Sequence, residues 1–204
     1  MNAAEALRIP LSLEERTAGN LRLEQFTVDK HDAMFSALRM GQRGVPPGVY
    51  WRLFEGRTMW MSDTPAERGD ARPLMRNARG SVLINGLGLG FTLWACLHLD
   101  GVSSVCVVEK SQDIIDMIGP FYDDARVRLI CDDALTIKWP RNTHFDSVWH
   151  DIWPDLCTDQ LGDVATLKRR YARRCNWQAA WCEEELRYQR RLEKREAAGW
   201  GCFR

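Results

Sequence analysis

Val82-Leu83-Ile84-Asn85 runs without a break into Gly86-Leu87-Gly88-Leu89-Gly90, and this junction constrains the chain more than any other segment. A short apolar run reads as a buried strand, and glycines at alternate positions make the bend that follows it. Glycine removes the side chain that would hold a ligand away from the main chain. The bend is therefore expected to leave amide N–H groups free at the start of a following helix. The spacing is GxGxG, whereas the dinucleotide fingerprint is GxGxxG. Phe91 stands where the third glycine of that fingerprint belongs, which argues against NAD. A tight strand-to-helix turn with no ligand also accounts for the triplet, so the bend alone leaves two readings open.

Downstream of the bend the chain has the rhythm of an α/β sheet. Phe91 to Leu99 reads as a helix, Val105 to Val108 as a second strand ended by Glu109, Val127 to Cys131 as a third strand and Phe145 to Trp149 as a fourth. Ser111 is a candidate helix cap, with Ile114, Ile115 and Ile118 as the buried stripe and Gly119-Pro120 as the stop. Strands separated by helices imply a parallel sheet covered on both faces. In such sheets ligands bind beyond the carboxyl ends of the strands. Glu109 ends the second strand 19 positions after Gly90. A carboxylate there can accept hydrogen bonds from both hydroxyls of a ribose, and its alternative role is a solvated acid paired with Lys110. Asp132-Asp133-Ala134 follows the third strand, where an acid can accept from an adenine amino group while a backbone N–H meets a ring nitrogen. Capping a helix is the competing role for either aspartate.

Ahead of this unit, Leu21 to Val28 alternates as a strand and Asp32 to Met40 reads as a short helix. Tyr50 to Phe54 and Thr58 to Met61 form a hairpin through Glu55-Gly56-Arg57, and a polar stretch from Asp63 to Arg79 carries a short helix. Beyond Asp151 the strand signal ends. Val164, Leu167 and Tyr171, then Trp177, Trp181, Tyr188 and Leu192, fall at helical spacings and predict two helices. Lys and Arg against Asp and Glu number 12 and 10 over residues 1–99, 5 and 13 over 100–163, and 11 and 5 over 164–204. The run Lys168-Arg169-Arg170-Tyr171-Ala172-Arg173-Arg174 is either a solvated helix face or a phosphate-binding patch backed by Trp177 and Trp181. The seven cysteines, at 96, 106, 131, 157, 175, 182 and 202, include no CxxC pair, so free thiols and no zinc site are expected. The longest apolar stretch, Val82 to Leu99, is interrupted by Asn85, three glycines and His98 and is not a membrane span. With no apolar run near a basic N-terminus, no secretory signal is expected and the location is read as cytoplasmic.

Taken in order, VLINGLGLG, VCVVEK, ICDDAL and FDSVWHDIWPD resemble the class I S-adenosylmethionine-dependent methyltransferases, and within them the spermidine-synthase-like branch. That branch also has an apolar residue, here Ile84, two places before the first glycine. The hairpin Tyr50 to Met61 followed by Ser62-Asp63 is similar to the β-structure that precedes its core. The resemblance covers roughly half the chain. It implies that Gly86, Gly88 and Gly90 face the methionine part of S-adenosyl-L-methionine, Glu109 its ribose, and Asp133 with Ala134 its adenine. Two departures stand beside it. Pro154 occupies the position of a second substrate-binding aspartate, with Asp155 one place out of register, and the helical tail lacks the three further strands usual after the fourth.

The fourth strand ends in His150-Asp151-Ile152-Trp153-Pro154. Asp151 and His150 are candidate catalytic groups that could position an acceptor amine or hydroxyl and take its proton, and Trp153 offers an aromatic face. Their structural alternative is packing by the tryptophans and a helix cap by Asp151. The expected architecture is an α/β, Rossmann-like parallel sheet with helices on both faces, an N-terminal strand, helix and β-hairpin elaboration over residues 1–79, a cofactor-binding core over 80–160, and a helical C-terminal extension over 161–204. The leading reading is methyl transfer from S-adenosyl-L-methionine to an unknown small-molecule or nucleic-acid acceptor. The alternatives are a polyamine-type aminopropyltransferase and a nucleoside-binding module without catalysis. No metal and no membrane partner are expected, and a homodimer is a candidate assembly.

Overall fold

The structure, a computed structural model, describes residues 13–199; Cys202 and the N-terminal segment read for a secretory signal lie outside them. The first layer is an antiparallel meander of β1 (Arg16–Ala18), β2 (Leu21–Val28), β3 (Gly48–Glu55) and β4 (Thr58–Ser62), paired in that order. Strand alternation divides it: Leu21, Leu23, Trp51 and Leu53 are buried, while Arg22 and Arg52 lie over the rings of Phe54 and Phe26 on the opposite face. The predicted hairpin is present, with Glu55 opposite Thr58 and Gly56 at φ 58° in its turn. Between β2 and β3 runs α1 (Lys30–Met40), whose first turn is fixed by the Asp29 carboxylate accepting from the Asp32 amide at 2.8 Å. It has no buried residue, and Met34, Phe35, Leu38 and Met40 are exposed.

Two short helices, α2 (Pro65–Asp70) and α3 (Arg72–Asn77), lead to a five-stranded sheet. Its strands are β5 (Gly80–Asn85), β6 (Val102–Glu109), β7 (Val127–Cys131), β8 (Phe145–His150) and β9 (Cys175–Ala180), in the order β7-β6-β5-β8-β9 and all parallel. Alternate residues feed two cores. Val82, Ile84, Val105, Val107 and Trp149 pack with Leu74, with Phe91 and Leu93 of α4 (Phe91–Leu97), and with Ile114 and Ile118 of α5 (Gln112–Ile118). Leu83, Val108 and Val148 pack on the other face with Ala134, Ile137 and, from α6 (Leu161–Tyr171), Leu167 and Tyr171. The expected Rossmann-like sheet with helices on both faces is thus the observed one. Each fully buried Leu or Ile contributes about 1.5–3 kcal/mol toward holding it. The cap at Ser111 forms as expected, its hydroxyl accepting from the Ile114 amide.

The tail departs from expectation in one element. It has the two predicted helices, α6 and α7 (Glu183–Gly199), but between them β9 extends the sheet, pairing Phe145 with Cys175 and His150 with Ala180. Trp177 therefore stands on a strand, and Trp181 follows it before α7 begins. Cys-Asn-Trp-Gln-Ala-Ala has no β-branched residue and little intrinsic strand preference, so pairing with β8 and cover from both faces make it a strand. Among the described residues no helix is long and apolar enough to cross a membrane.

Candidate functional site

A cleft of about 1440 Å³ opens at the carboxyl end of the parallel sheet, bounded by the N-terminal hairpin and α2. Gly86, Gly88, Glu109, Asp133, Ala134, Asp151 and Trp153 all line it, whereas Gly90 and His150 do not. Seven of the nine residues singled out in the sequence are thus brought together.

The glycine bend has φ values of 101°, 50° and 75° at Gly86, Gly88 and Gly90. Close approach enforces each glycine as well. A Cβ on Gly86 would lie 1.9 Å from the Asp151 carbonyl oxygen, and one on Gly88 2.1 Å from the Met61 Sδ. At Gly90 the space belongs to the Tyr122 ring, whose hydroxyl donates to the Leu89 carbonyl at 2.7 Å. Four of the five amides of the bend bond within the protein, while those of Gly88 and of the first turn of α4 have no partner among the described residues. Gly86 N–H bonds the Val108 carbonyl, Leu87 N–H the Glu109 carboxylate, Leu89 N–H the Met61 thioether and Gly90 N–H the Leu87 carbonyl.

Glu109 is buried, with 8% of its surface exposed. One carboxylate oxygen accepts from Leu87 N–H at 2.8 Å and the other from Ser111 N–H at 2.9 Å, so β6, the bend and the cap of α5 meet at this side chain. The alternative pairing with Lys110 does not occur, because that ammonium goes to Asp133 at 3.0 Å. Each Glu109 oxygen keeps a second acceptor site, and the residue lines the cleft. Asp133 accepts from the Leu135 amide at 2.8 Å, and this bond, helped by Lys110, holds its carboxyl below the usual carboxylate range. The neighbouring Ala134 is buried.

Across the cleft the surroundings are different. Burial pushes the Asp151 carboxyl up to about 7, with the Glu67 and Asp70 carboxylates adding to the rise against a long contact of 3.4 Å from Trp149 Nε1. Glu67, raised mainly by burial, is held by the Ser62 hydroxyl at 2.6 Å and amide at 2.7 Å, and Asp70 makes a two-pronged ion pair with Arg43 at 2.9 Å. Burial also pushes up the Cys182 thiol, which stands here at φ 48°, a left-handed conformation unusual for a residue with a side chain. Trp153 presents a buried Nε1–H with no partner among the described residues. The sequence reading missed Glu67, Asp70, Met61 and Cys182. Thr64-Pro65 marks a helix start that would have placed the first two near the hairpin.

His150 is corrected as a candidate base. Strand alternation turns it away from the cleft into the lower core, fully buried and 5.4 Å from the Tyr171 ring. Its Nδ1 accepts from the Asn85 amide at 2.8 Å, and its Nε2–H donates to the Gln178 side chain at 3.2 Å. Burial pulls its pKa down to about 4, so it is a neutral structural group at neutral pH. The basic run is largely consumed in the same way. Lys168 pairs with Glu183, Arg170 bonds the Ile137 carbonyl, and Arg174 bonds the carbonyls of Pro140 and Thr143.

No family model and no curated protein match the sequence. Among solved structures, the chain is similar to an S-adenosylmethionine-dependent methyltransferase from Clostridium acetobutylicum, at 17% identity over 52% of this chain and 43% of that one, with a TM-score of 0.38. It is similar to the CcbJ methyltransferase from Streptomyces caelestis at 18% identity over 55% and 47%, with a TM-score of 0.42. Spermidine synthase from Thermotoga maritima gives 15% identity over 66% and 44%, with a TM-score of 0.41. The chain spans less than half the length of each of these structures.

Proposed function

We propose that the chain is an S-adenosylmethionine-dependent methyltransferase, with the cofactor in the cleft beside Glu109 and the acceptor between Asp151, Trp153 and the hairpin. One observation carries the reading. A buried carboxylate, tied to the glycine bend and paired with no cation among the described residues, lines the cleft at the carboxyl ends of parallel strands with acceptor capacity to spare. Two ribose hydroxyls complement it. Asp133 and the Ala134 backbone, one strand further along, suit the donor and acceptor edge of adenine.

The sulfonium of the cofactor supplies the activated methyl group. The protein's part is to orient, to exclude water and to handle a proton. Asp151, with its carboxyl near 7, can take a proton from an acceptor at neutral pH, which an ordinary aspartate does poorly. The free Trp153 Nε1–H can hold an acceptor oxygen or carbonyl close by. A second reading, aminopropyl transfer to a polyamine, is favoured by the carboxyls of Glu67, Asp70 and Asp151 on the acceptor side, which complement a cationic amine. Product analysis with the intact and the decarboxylated cofactor separates the two.

Calorimetric titration with S-adenosylhomocysteine tests the common premise. Micromolar-range binding is expected, weakened by about 1.5–3 kcal/mol in Glu109→Ala as charge-assisted bonds to the ribose are lost. Equal affinity of the two proteins, or no binding to either, defeats the proposal.

A further inference from the structure

We propose that β9 is a pairing edge at which two copies of this chain join antiparallel across a two-fold axis, extending the sheet from one molecule into the next. β9 ends the sheet, and no other strand of the described residues lies beyond it. Its two faces are already covered by α3 and α6, so what remains uncommitted is the backbone edge. The Trp181 amide bonds the His150 carbonyl at 2.8 Å, and the Asp151 amide turns to Asn85 on the other side of β8, which together set the alternation along β9. In a parallel ladder that phase turns the N–H and C=O groups of Gln178 and Ala180 outward.

Sheet edges are ordinarily guarded by a charge, a proline or a bulge. The other edge of this sheet follows the rule, since β7 carries the exposed Arg128 in mid-strand. Cys175-Asn176-Trp177-Gln178-Ala179-Ala180 has no charged residue, proline or glycine.

The flanking charges decide the occupant. Arg173-Arg174 precedes the strand and Glu183-Glu184-Glu185 follows it. A two-fold axis near Trp177 and Gln178 brings the basic entrance of one copy beside the acidic exit of the other, twice. Arg173 and Glu184 are exposed, and neither has a hydrogen-bond or ion-pair partner among the described residues. A second copy of the same chain supplies the missing partner to both. Parallel pairing would instead set like charges side by side. An isologous contact of this kind closes on itself and limits the assembly to a dimer. Because β9 runs on into Ala180, Trp181 and Cys182 of the cleft wall, the joint would brace the two clefts back to back.

Sedimentation equilibrium of the full chain tests the proposal, together with hydrogen exchange at high and low protein concentration. The expected mass is twice the 23.5 kDa of one chain. Arg173→Glu and Glu184→Arg should each raise the dimer dissociation constant about tenfold or more, and the double exchange should restore it to within about threefold. That recovery also separates lost pairing from a damaged fold. The Gln178 and Ala180 amides should exchange faster on dilution. A monomer throughout the micromolar range overturns the proposal. So does a dimer that ignores both single reversals and leaves those two amides unchanged on dilution.

Discussion

Carboxyl groups line both sides of the cleft, and their surroundings push them in opposite directions. On the side of the bend, Glu109 and Asp133 are gripped by backbone N–H donors, and Asp133 is held below the usual carboxylate range. On the hairpin side Asp151 has one long contact and two carboxylate neighbours, and rises to about 7. Local amides fix a charge in place, and their absence leaves a group that exchanges its proton near neutrality. Under the proposed function, one side holds and the other reacts.

The sharpest way to break this contrast is Asp151→Asn. If Asp151 is the base, turnover with a competent acceptor should fall about 10²–10⁴-fold while S-adenosylhomocysteine affinity stays within a factor of two or so. Retained turnover would put both sides of the cleft in the same binding role. Next in size is backbone strain. Gly86→Ala places a Cβ against a main-chain carbonyl that cannot step aside, and should cost about 3 kcal/mol or more in urea unfolding. Gly88→Ala meets only the movable Met61 side chain, so its cost should be about 1–2 kcal/mol. Equal costs would mean that the bend is looser than its contacts imply.

A third prediction comes from neighbours with opposed titrations. His150, lowered to about 4, opposes acidification, because below its unfolded value near 6.5 the unfolded chain binds a proton that the native state refuses. Asp151, raised to about 7, acts in the opposite sense, because between about 7 and 4 the native state binds the proton first. From pH 7 to 5 each amounts to about 2 kcal/mol, with opposite signs, and they nearly cancel. Asp151→Asn should expose the His150 share, losing about 2 kcal/mol more on acidification than the parent chain in urea titrations at the two pH values. An identical pH response in both proteins would show that Asp151 titrates normally. The smallest effect belongs to Lys110→Ala. Its ion pair to Asp133 is open to solvent, so stability should change by less than about 1 kcal/mol.

Much of the side that holds the glycine bend could be read in the chain. Strand-then-glycine, an acid ending the next strand and a serine cap are local signals, and each forms where it was expected. The hairpin side was less legible because its residues come from distant segments. Glu67 and Asp70 reach Asp151 only through the fold of α2 against the sheet, and β9 is a strand by pairing alone. The burial of His150 had a signal that was passed over: along β8 it shares the parity of Val148, so a core position for one implied a core position for the other.

The contact between Met61 and the bend has a mechanical meaning. Sulfur is the weakest acceptor that a side chain offers, and it is what ties the Leu89 amide to the hairpin, at 3.1 Å. The firm bonds of the bend lead to β6, to the Tyr122 hydroxyl and back into the bend itself, while its seam with the antiparallel layer is a soft one. An arriving oxygen atom could unfasten that seam cheaply and leave the rest of the turn undisturbed.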